Sequence, residues 1–481
     1  MRDNFESLEK KVVLMHSNDI HSRLENAARI ASIIAEERRT WGADRVLAVD
    51  CGDHMDRMRQ ETEGSEGLVN VRLLQEAGYE AVTLGNNEGL TYTPEVLASL
   101  YGNVAEFGVI CANMALSESG ECPDWMSPSR VLRKNGLRIG LIGATANFCE
   151  FYELLGWKTT DPLEAIRVQA ERLKDESDVI IVMSHLGIAL DRTIAEEIPG
   201  IHLIVGGHTH HLLEEPLLVN GAMICAAGKF GDYVGRVEIT WDEDASRPVL
   251  RGSCVPTGAF SGKEEAEACI SSYRESSRLK LGRVAAVLKE PLPSNAAKEN
   301  PLANLLAAGL RRWTNAEIGL VNAGQLLGGL AKGDVTAGEL HAICPSPINP
   351  CRMSIRGSKL RTALEQSLMD SYIHKPIKGF GFRGEVLGTL AIDGMTVTYD
   401  MDRPDLDRIM QIVVNGEAFD DDRLYAVGSI DMFSFKVGYE SLAEAESFQF
   451  YLPEFIRDVI ERELDHSESL MSCRENRWHR R

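Results

Sequence analysis

The chain has 481 residues, enough for two domains with a core each, and is 44% hydrophobic and 26% charged. Its formal net charge of −21 speaks against a nucleic-acid polymer as partner, because a phosphate backbone needs a basic surface, and fits an acidic enzyme of small molecules. An anionic substrate stays open, since a pair of divalent ions can invert the local charge of a site.

Residues 1–11 are polar and charged, without the apolar stretch of an export signal, and no later segment is apolar enough to span a membrane. The expectation is a cytoplasmic protein with no membrane partner. The ten cysteines are scattered without metal-finger spacing, which predicts reduced, packed thiols.

In chain order, residues 12–15 form a short apolar run that breaks into His16-Ser-Asn-Asp-Ile-His21. Residues 27–39 carry apolar side chains at helical spacing and lead to a second run, 46–49, ending in Asp50-Cys-Gly-Asp53. A helix over 67–77 precedes a third run, 81–84, which ends in Gly85-Asn-Asn-Glu88. Thr93-Pro94 and Asp161-Pro162 start further helices, the latter with Glu164 completing a capping box. A fourth run, 179–183, ends in Ser184-His185, and a fifth, 201–205, in Gly206-Gly-His-Thr-His210-His211. Strands alternating with helices predict a layered α/β domain with substantial parallel pairing.

Short glycine-separated strands over 219–240 close this domain near Asp244, and residues 263–281 read as a charged helix. A second domain follows, with helices over 302–313 and 357–369 and strands over 318–321, 397–399 and 425–427. The tail from Ser467 is polar and reads as a frayed terminus.

Each of the five apolar runs thus ends in potential oxygen or nitrogen ligands. In an open α/β sheet the carboxyl ends of parallel strands share one edge, so Asp19, His21, Asp53, Asn86, His185, His208 and His210 can converge on one site. Mixed imidazole, carboxylate and amide donors suit manganese, iron or zinc.

The ordered set Asp-x-His, Gly-Asp, Gly-Asn-x-Glu, Ser-His and Gly-His-x-His resembles the calcineurin-like metallophosphoesterases, specifically the two-domain bacterial 5'-nucleotidase/2',3'-cyclic phosphodiesterase family. Ala227-Gly-Lys-Phe-Gly-Asp-Tyr-Val-Gly235 resembles the glycine pattern that follows the last histidines in that family. The resemblance implies a four-layer α/β/β/α domain over 8–245, a connecting helix over 262–282, and a smaller mixed α/β substrate-binding domain over 283–466. It also implies two divalent ions: Asp19, His21 and His210 would hold one, Asn86, His185 and His208 the other, and Asp53 would bridge them. Such a pair lowers the pKa of a bridging water and generates hydroxide for in-line attack on phosphorus.

In the second domain the resemblance rests on residues 301–309, Asn322-Ala-Gly324, 333–336 and 437–439. It implies substrate contacts from Asn322, with Arg352, Arg356 and Arg383 as basic candidates, and a base held between rings, for which Phe380, Phe382 and Phe433 are available; of these Phe382 and Phe433 are the expected pair and Arg352 the expected cation. An arginine that the family carries shortly after the asparagine-glycine turn is replaced by Leu326 and Leu327.

A second departure lies in the metal domain. Asn87 stands where the family motif Gly-Asn-His-Glu has a histidine near the leaving group, and Leu90 where some members orient it with aspartate. An amide cannot serve as general acid. His54, next to the bridging Asp53 and two positions before Asp56, is the nearest substitute. The expected function is metal-dependent hydrolysis of a small phosphoester, nucleotide or nucleotide-like. The alternatives are a nucleotide-binding sensor weakened by Asn87, and a phosphatase of a non-nucleotide substrate.

Overall fold

The computed structural model describes residues 10–481; the first residues, including the expected domain start at 8, lie outside the described residues. The chain divides into two compact units, one up to Ser277 and one from Arg278 onward. Among the described residues no helix is long and apolar enough to cross a membrane.

Strands buried on both faces read as continuous apolar runs, and here Val-Val-Leu-Met lies in Lys11–Ser17, Val-Leu-Ala-Val in Val46–Asp50 and Val-Ile-Ile-Val-Met in Val179–His185. They build two sheets in the first unit. The seven-stranded sheet runs Arg247–Pro256, Tyr233–Asp242, Lys11–Ser17, Val46–Asp50, Ala81–Val82, Gly108–Ile110, Met126–Ser127. Its strands from Lys11–Ser17 onward are parallel, and the first two are antiparallel. The six-stranded sheet runs Leu217–Val219, Ala222–Ala226, Leu203–Gly206, Val179–His185, Leu137–Thr145, Ser129–Lys134, with parallel pairing through its middle four strands.

Leu14, Val49, Leu141, Ile181, Met183 and Val205 meet in the core between the sheets. The outer face of the six-stranded sheet, with Ile142, Val182, Ile204 and Ile224, is covered by Ile166 and Ala170 of the helix Pro162–Leu173 and by Ile194 of the helix Ile188–Glu197. Helix Leu24–Trp41 packs on the strand Val46–Asp50 of the other sheet. The expected α/β/β/α layering is therefore present.

Three features differ from the sequence reading. Leu137–Thr145, central to its sheet, was not anticipated because Gly140 and Gly143 dilute its apolar pattern; a Cβ on Gly143 would lie 1.9 Å from the Ile110 carbonyl oxygen, so that position admits no side chain. The first unit does not close at 245, because Arg247–Pro256 adds an antiparallel edge strand to the seven-stranded sheet. The tail from Ser467 is not frayed: it forms the helix Ser467–Ser472 and the strand Trp478–Arg480, parallel to Met395–Tyr399. Its anchors are Cys473 and Trp478, both buried, the latter with Nε1 donating to the Leu390 carbonyl at 3.0 Å, and Arg477, paired with Asp393 at 2.7 Å.

Helix Glu264–Leu281 coincides with the expected connector and contains the boundary between the units. In the second unit, Asn300 caps the helix Pro301–Trp313 by accepting from the Ala303 N–H at 3.0 Å, with Pro301 in the first turn. That helix buries Leu302, Leu305, Leu306 and Leu310 against a five-stranded sheet of Leu390–Asp393, Ile318–Asn322, Leu424–Ile430, Pro350–Arg356 and Ser447–Phe450.

Candidate metal centre

Register positions the ligands. Ser17 pairs with Asp50 in one sheet and Ser184 with Gly206 in the other, so strands that carry the ligand turns end level. The first sheet supplies Asp19, His21, Asp53 and Asn86, and the second supplies His185, His208 and His210. The turns approach closely: a Cβ on Gly52 would lie 2.4 Å from the Gly85 nitrogen. Five of the seven candidate ligands, Asp19, His21, Asp53, His208 and His210, have left-handed backbones, with φ between 46° and 70°. Such conformations cost on the order of 1–3 kcal/mol each for residues other than glycine and persist where function requires them.

The side chains form two groups. In the first, His21 Nε2 lies 3.1 Å from His210 Nε2 and 3.8 Å from Asp19 Oδ1, and His210 Nε2 lies 3.4 Å from Asp19 Oδ1. In the second, Asn86 Oδ1 lies 3.2 Å from His185 Nε2 and 2.9 Å from His208 Nδ1. Asp53 reaches both, with one oxygen 4.0 Å from His21 Nε2 and the other 3.3 Å from His185 Nε2. Bonds of about 2.0–2.2 Å to a shared ion place neighbouring donors roughly 3–3.5 Å apart, and most of these separations lie in or near that range, the two longest at 3.8 and 4.0 Å.

Burial opposes a charge on His185, yet the carboxylates of Asp53 and Asp19 outweigh it and carry the imidazole pKa up to about 10. The cluster thus demands positive charge, and a divalent ion meets that demand while using the imidazole lone pair. The donor set fits a metal pair. The conventional carboxylate of this motif, Glu88, does not join it. Its oxygens accept the backbone N–H groups of Asp53 (2.9 Å), Gly85 (2.8 Å) and Met55 (2.8 Å), so it locks the Asp53 turn to the Asn86 turn. Asn18 performs the same task for Asp19, donating to its Oδ2 at 2.7 Å and to the Gly228 carbonyl at 2.7 Å.

Asn87 is turned onto the metal ligands. Its Nδ2 lies 3.0 Å from His21 Nδ1 and donates to the Met55 carbonyl at 2.9 Å, and its backbone N–H donates to Asp53 Oδ1 at 2.7 Å. His54 does not pair with Asp56. Its Nδ1 faces Asn70 Nδ2 at 3.2 Å, and burial pushes its pKa down to about 3. Asp56 approaches His21 Nδ1 instead, at 4.0 Å. With Nε2 turned to the donor group, a ligating His21 carries its proton on Nδ1, and the acceptor on that side is the Asp56 carboxylate.

The expected substrate residues of the second unit do not gather as a binding surface. Asn322 is fully buried, donating to the Leu387 carbonyl at 2.6 Å and accepting from Gln325 at 3.1 Å. Phe433 is buried edge-on to Tyr439, and Phe382 is buried beside Gly384, so both rings belong to the core. Arg352 is half-buried on the face of its strand opposite Cys351, Met353 and Ile355. The accessible ring pair is Phe380, 56% exposed with φ 54°, and Phe435, with centroids 5.8 Å apart and planes tilted by 32°. Phe435 was passed over because Ser434 and Lys436 around it carry no loop signature; the glycines flanking Phe380 do.

Two family profiles match the chain, one described as calcineurin-like phosphoesterase over residues 12–212 and one as the 5'-nucleotidase C-terminal domain over 281–443. An uncharacterised metallophosphoesterase of Bacillus subtilis is 36% identical over 458 residues, covering 94% of this chain and 99% of that protein. The 5'-nucleotidase of Mus musculus is 24% identical, covering 84% of this chain and 78% of its own. Among solved structures, the 5'-nucleotidase precursor of Thermus thermophilus aligns with a TM-score of 0.60 at 22% identity, over 98% of this chain and 99% of that one. The NAD nucleotidase of Haemophilus influenzae aligns with a TM-score of 0.68 at 16% identity, over 98% and 97% of the two chains.

Proposed function

The chain belongs to the calcineurin-like phosphoesterases that carry a 5'-nucleotidase C-terminal domain, hydrolases that bind a divalent metal pair, and from that premise we propose that it cleaves phosphate from a nucleotide or nucleotide-like small molecule. The observation that carries this reading is the convergence of Asp19, His21 and His210 on one side of Asp53 and of Asn86, His185 and His208 on the other. Manganese, iron or zinc, held as a pair by these residues, would supply Lewis acidity toward the phosphoryl oxygens and the attacking water.

The residues do the rest. Asp53 joins the two donor groups, and Glu88 and Asn18 fix the turns that present them. Asn87 holds Asp53 through its backbone N–H and offers no proton to the leaving group. His54, held by Asn70, is assigned no acid role. The cytoplasmic assignment rests on the scattered spacing of the ten cysteines. Phe380 and Phe435, rather than Phe382 and Phe433, are the rings assigned to the base.

The experiment is a panel of nucleoside mono-, di- and cyclic phosphates, sugar nucleotides and non-nucleotide esters, offered to the manganese-loaded chain. Phosphate release from at least one nucleotide, abolished by chelator, is expected. Release from non-nucleotide esters alone would replace the nucleotide reading, and saturable nucleotide binding without release would identify a sensor.

The ring assignment has its own readout. Phe380→Ala is expected to weaken nucleoside-phosphate binding by about 5- to 100-fold, the scale of one stacked base, with an unchanged melting temperature. Phe382→Ala should instead lower stability by about 3–5 kcal/mol, the usual loss on emptying a buried aromatic site. Calorimetric titration and thermal melts of both variants distinguish the roles; a stable Phe382→Ala protein with weakened binding would reverse them.

A further inference from the structure

The loop after the strand Ala222–Ala226 carries Phe230 to the edge of the metal centre. Phe230 has a left-handed backbone, φ 63°; its N–H donates to the Asp19 carbonyl at 2.7 Å, and its own carbonyl accepts from Asn26 Nδ2 at 2.9 Å. Its ring stands edge-on to the His21 imidazole, with centroids 5.8 Å apart.

Two cations lie against this same ring, the Arg23 guanidinium at 4.8 Å and the Lys229 ammonium at 4.6 Å from its centroid. Both residues are exposed, and among the described residues neither cationic group takes part in an ion pair or hydrogen bond. The nearby acids are engaged elsewhere: Glu25 by Arg59 at 2.7 Å and Arg274 at 3.3 Å, and Asp232 by the Asn26 amide at 3.1 Å. In a chain with 72 acidic and 51 basic residues, these two cations on one ring leave positive charge uncompensated at the rim of the donor cluster. An anionic ligand would compensate both.

We propose that Arg23 and Lys229, held on Phe230, dock a second phosphoryl group of the substrate beside the one taken by the metal centre. The ligand class is a small molecule with two linked phosphoryl groups. Arg23 supplies the forked donor that matches phosphate oxygens, and Lys229 a compact charge. The assignment rests on the phosphoesterase reading of the metal centre and agrees with Asn87, because a phosphoanhydride leaving group departs without a proton donor. In its hydrolysis the water oxygen bonds to phosphorus and the bridging P–O bond breaks. The electron pair leaves with the departing phosphate, and the protons of the water pass to products and solvent.

The test is binding of methylenediphosphonate, which cannot be hydrolysed, and of methylphosphonate to the manganese-loaded full chain, measured by calorimetry at equal metal content. The Arg23→Gln/Lys229→Gln double variant is expected to lose at least about tenfold in affinity for the diphosphonate and no more than about threefold for the monophosphonate. Restoring Arg23 as lysine should recover part of the loss. Equal losses for both ligands, or none for the diphosphonate, would overturn the assignment. A selective loss in a protein that hydrolyses no ester would leave the docking role standing and remove the hydrolase reading.

Discussion

Asp53→Ala is expected to lower metal-dependent phosphate release by on the order of 10³-fold or more, the consequence of removing several kcal/mol of transition-state stabilisation. Asp53 lies between the two donor groups, one oxygen facing His21 and the other His185. His185→Ala touches only the second group, so that variant should retain about one ion of two while Asp53→Ala weakens both. Metal analysis of the purified variants beside their rates provides the check. Asp53→Ala protein that keeps two ions and most of its rate would sink the shared-ligand role. Because Asp53 is buried, Asp53→Asn, which keeps the volume, guards against reading a folding defect as a catalytic one.

The second large effect belongs to Asn87. Restoring an imidazole there in the Asn87→His variant should raise kcat/KM on an alkyl phosphate such as a nucleoside 5'-monophosphate by about 100-fold, the lower end of what a positioned acid contributes. Aryl phosphates, whose leaving groups need no proton, should gain far less. The native enzyme should therefore depend steeply on leaving-group pKa, and Asn87→His should flatten that dependence. His54→Ala should leave it unchanged, since the His54 ring is held by Asn70. A graded ester series in all three forms decides the matter: a steeper slope in His54→Ala would make His54 the acid, and equal slopes in native and Asn87→His proteins would show that position 87 does not govern protonation. The amide of Asn87 also faces His21, so metal content must be matched before rates are compared.

The convergence of the candidate donors was legible because they lie at the ends of apolar runs, and parallel pairing brings such ends together whatever the intervening sequence. The same logic missed what holds the ligands. Glu88 was visible as a motif letter, but its three backbone hydrogen bonds depend on two turns meeting at Gly52 and Gly85, 33 residues apart in sequence. The second unit was harder to read because aromatic residues serve core and binding surface alike. Phe382 and Phe380 are two positions apart in one glycine-rich loop, yet the first is buried and the second exposed. Only packing separates them. The tail differs from its sequence reading for a related reason: its polar composition hides the buried Cys473 and Trp478, which anchor it together with the Arg477–Asp393 pair.

The division of ligands between two sheets sets the order of events during synthesis. Asp19, His21, Asp53 and Asn86 leave the ribosome first, and His185 follows Asn86 by 99 residues. At about 5–20 residues per second, that gap lasts roughly 5–20 s, and His208 and His210 come later still. Each donor group contains at least one of the late histidines, so no nascent chain shorter than both sheets can hold either ion with its full set. On the proposed ligand assignment, a metal pair would therefore seal a finished domain and would not seed its folding.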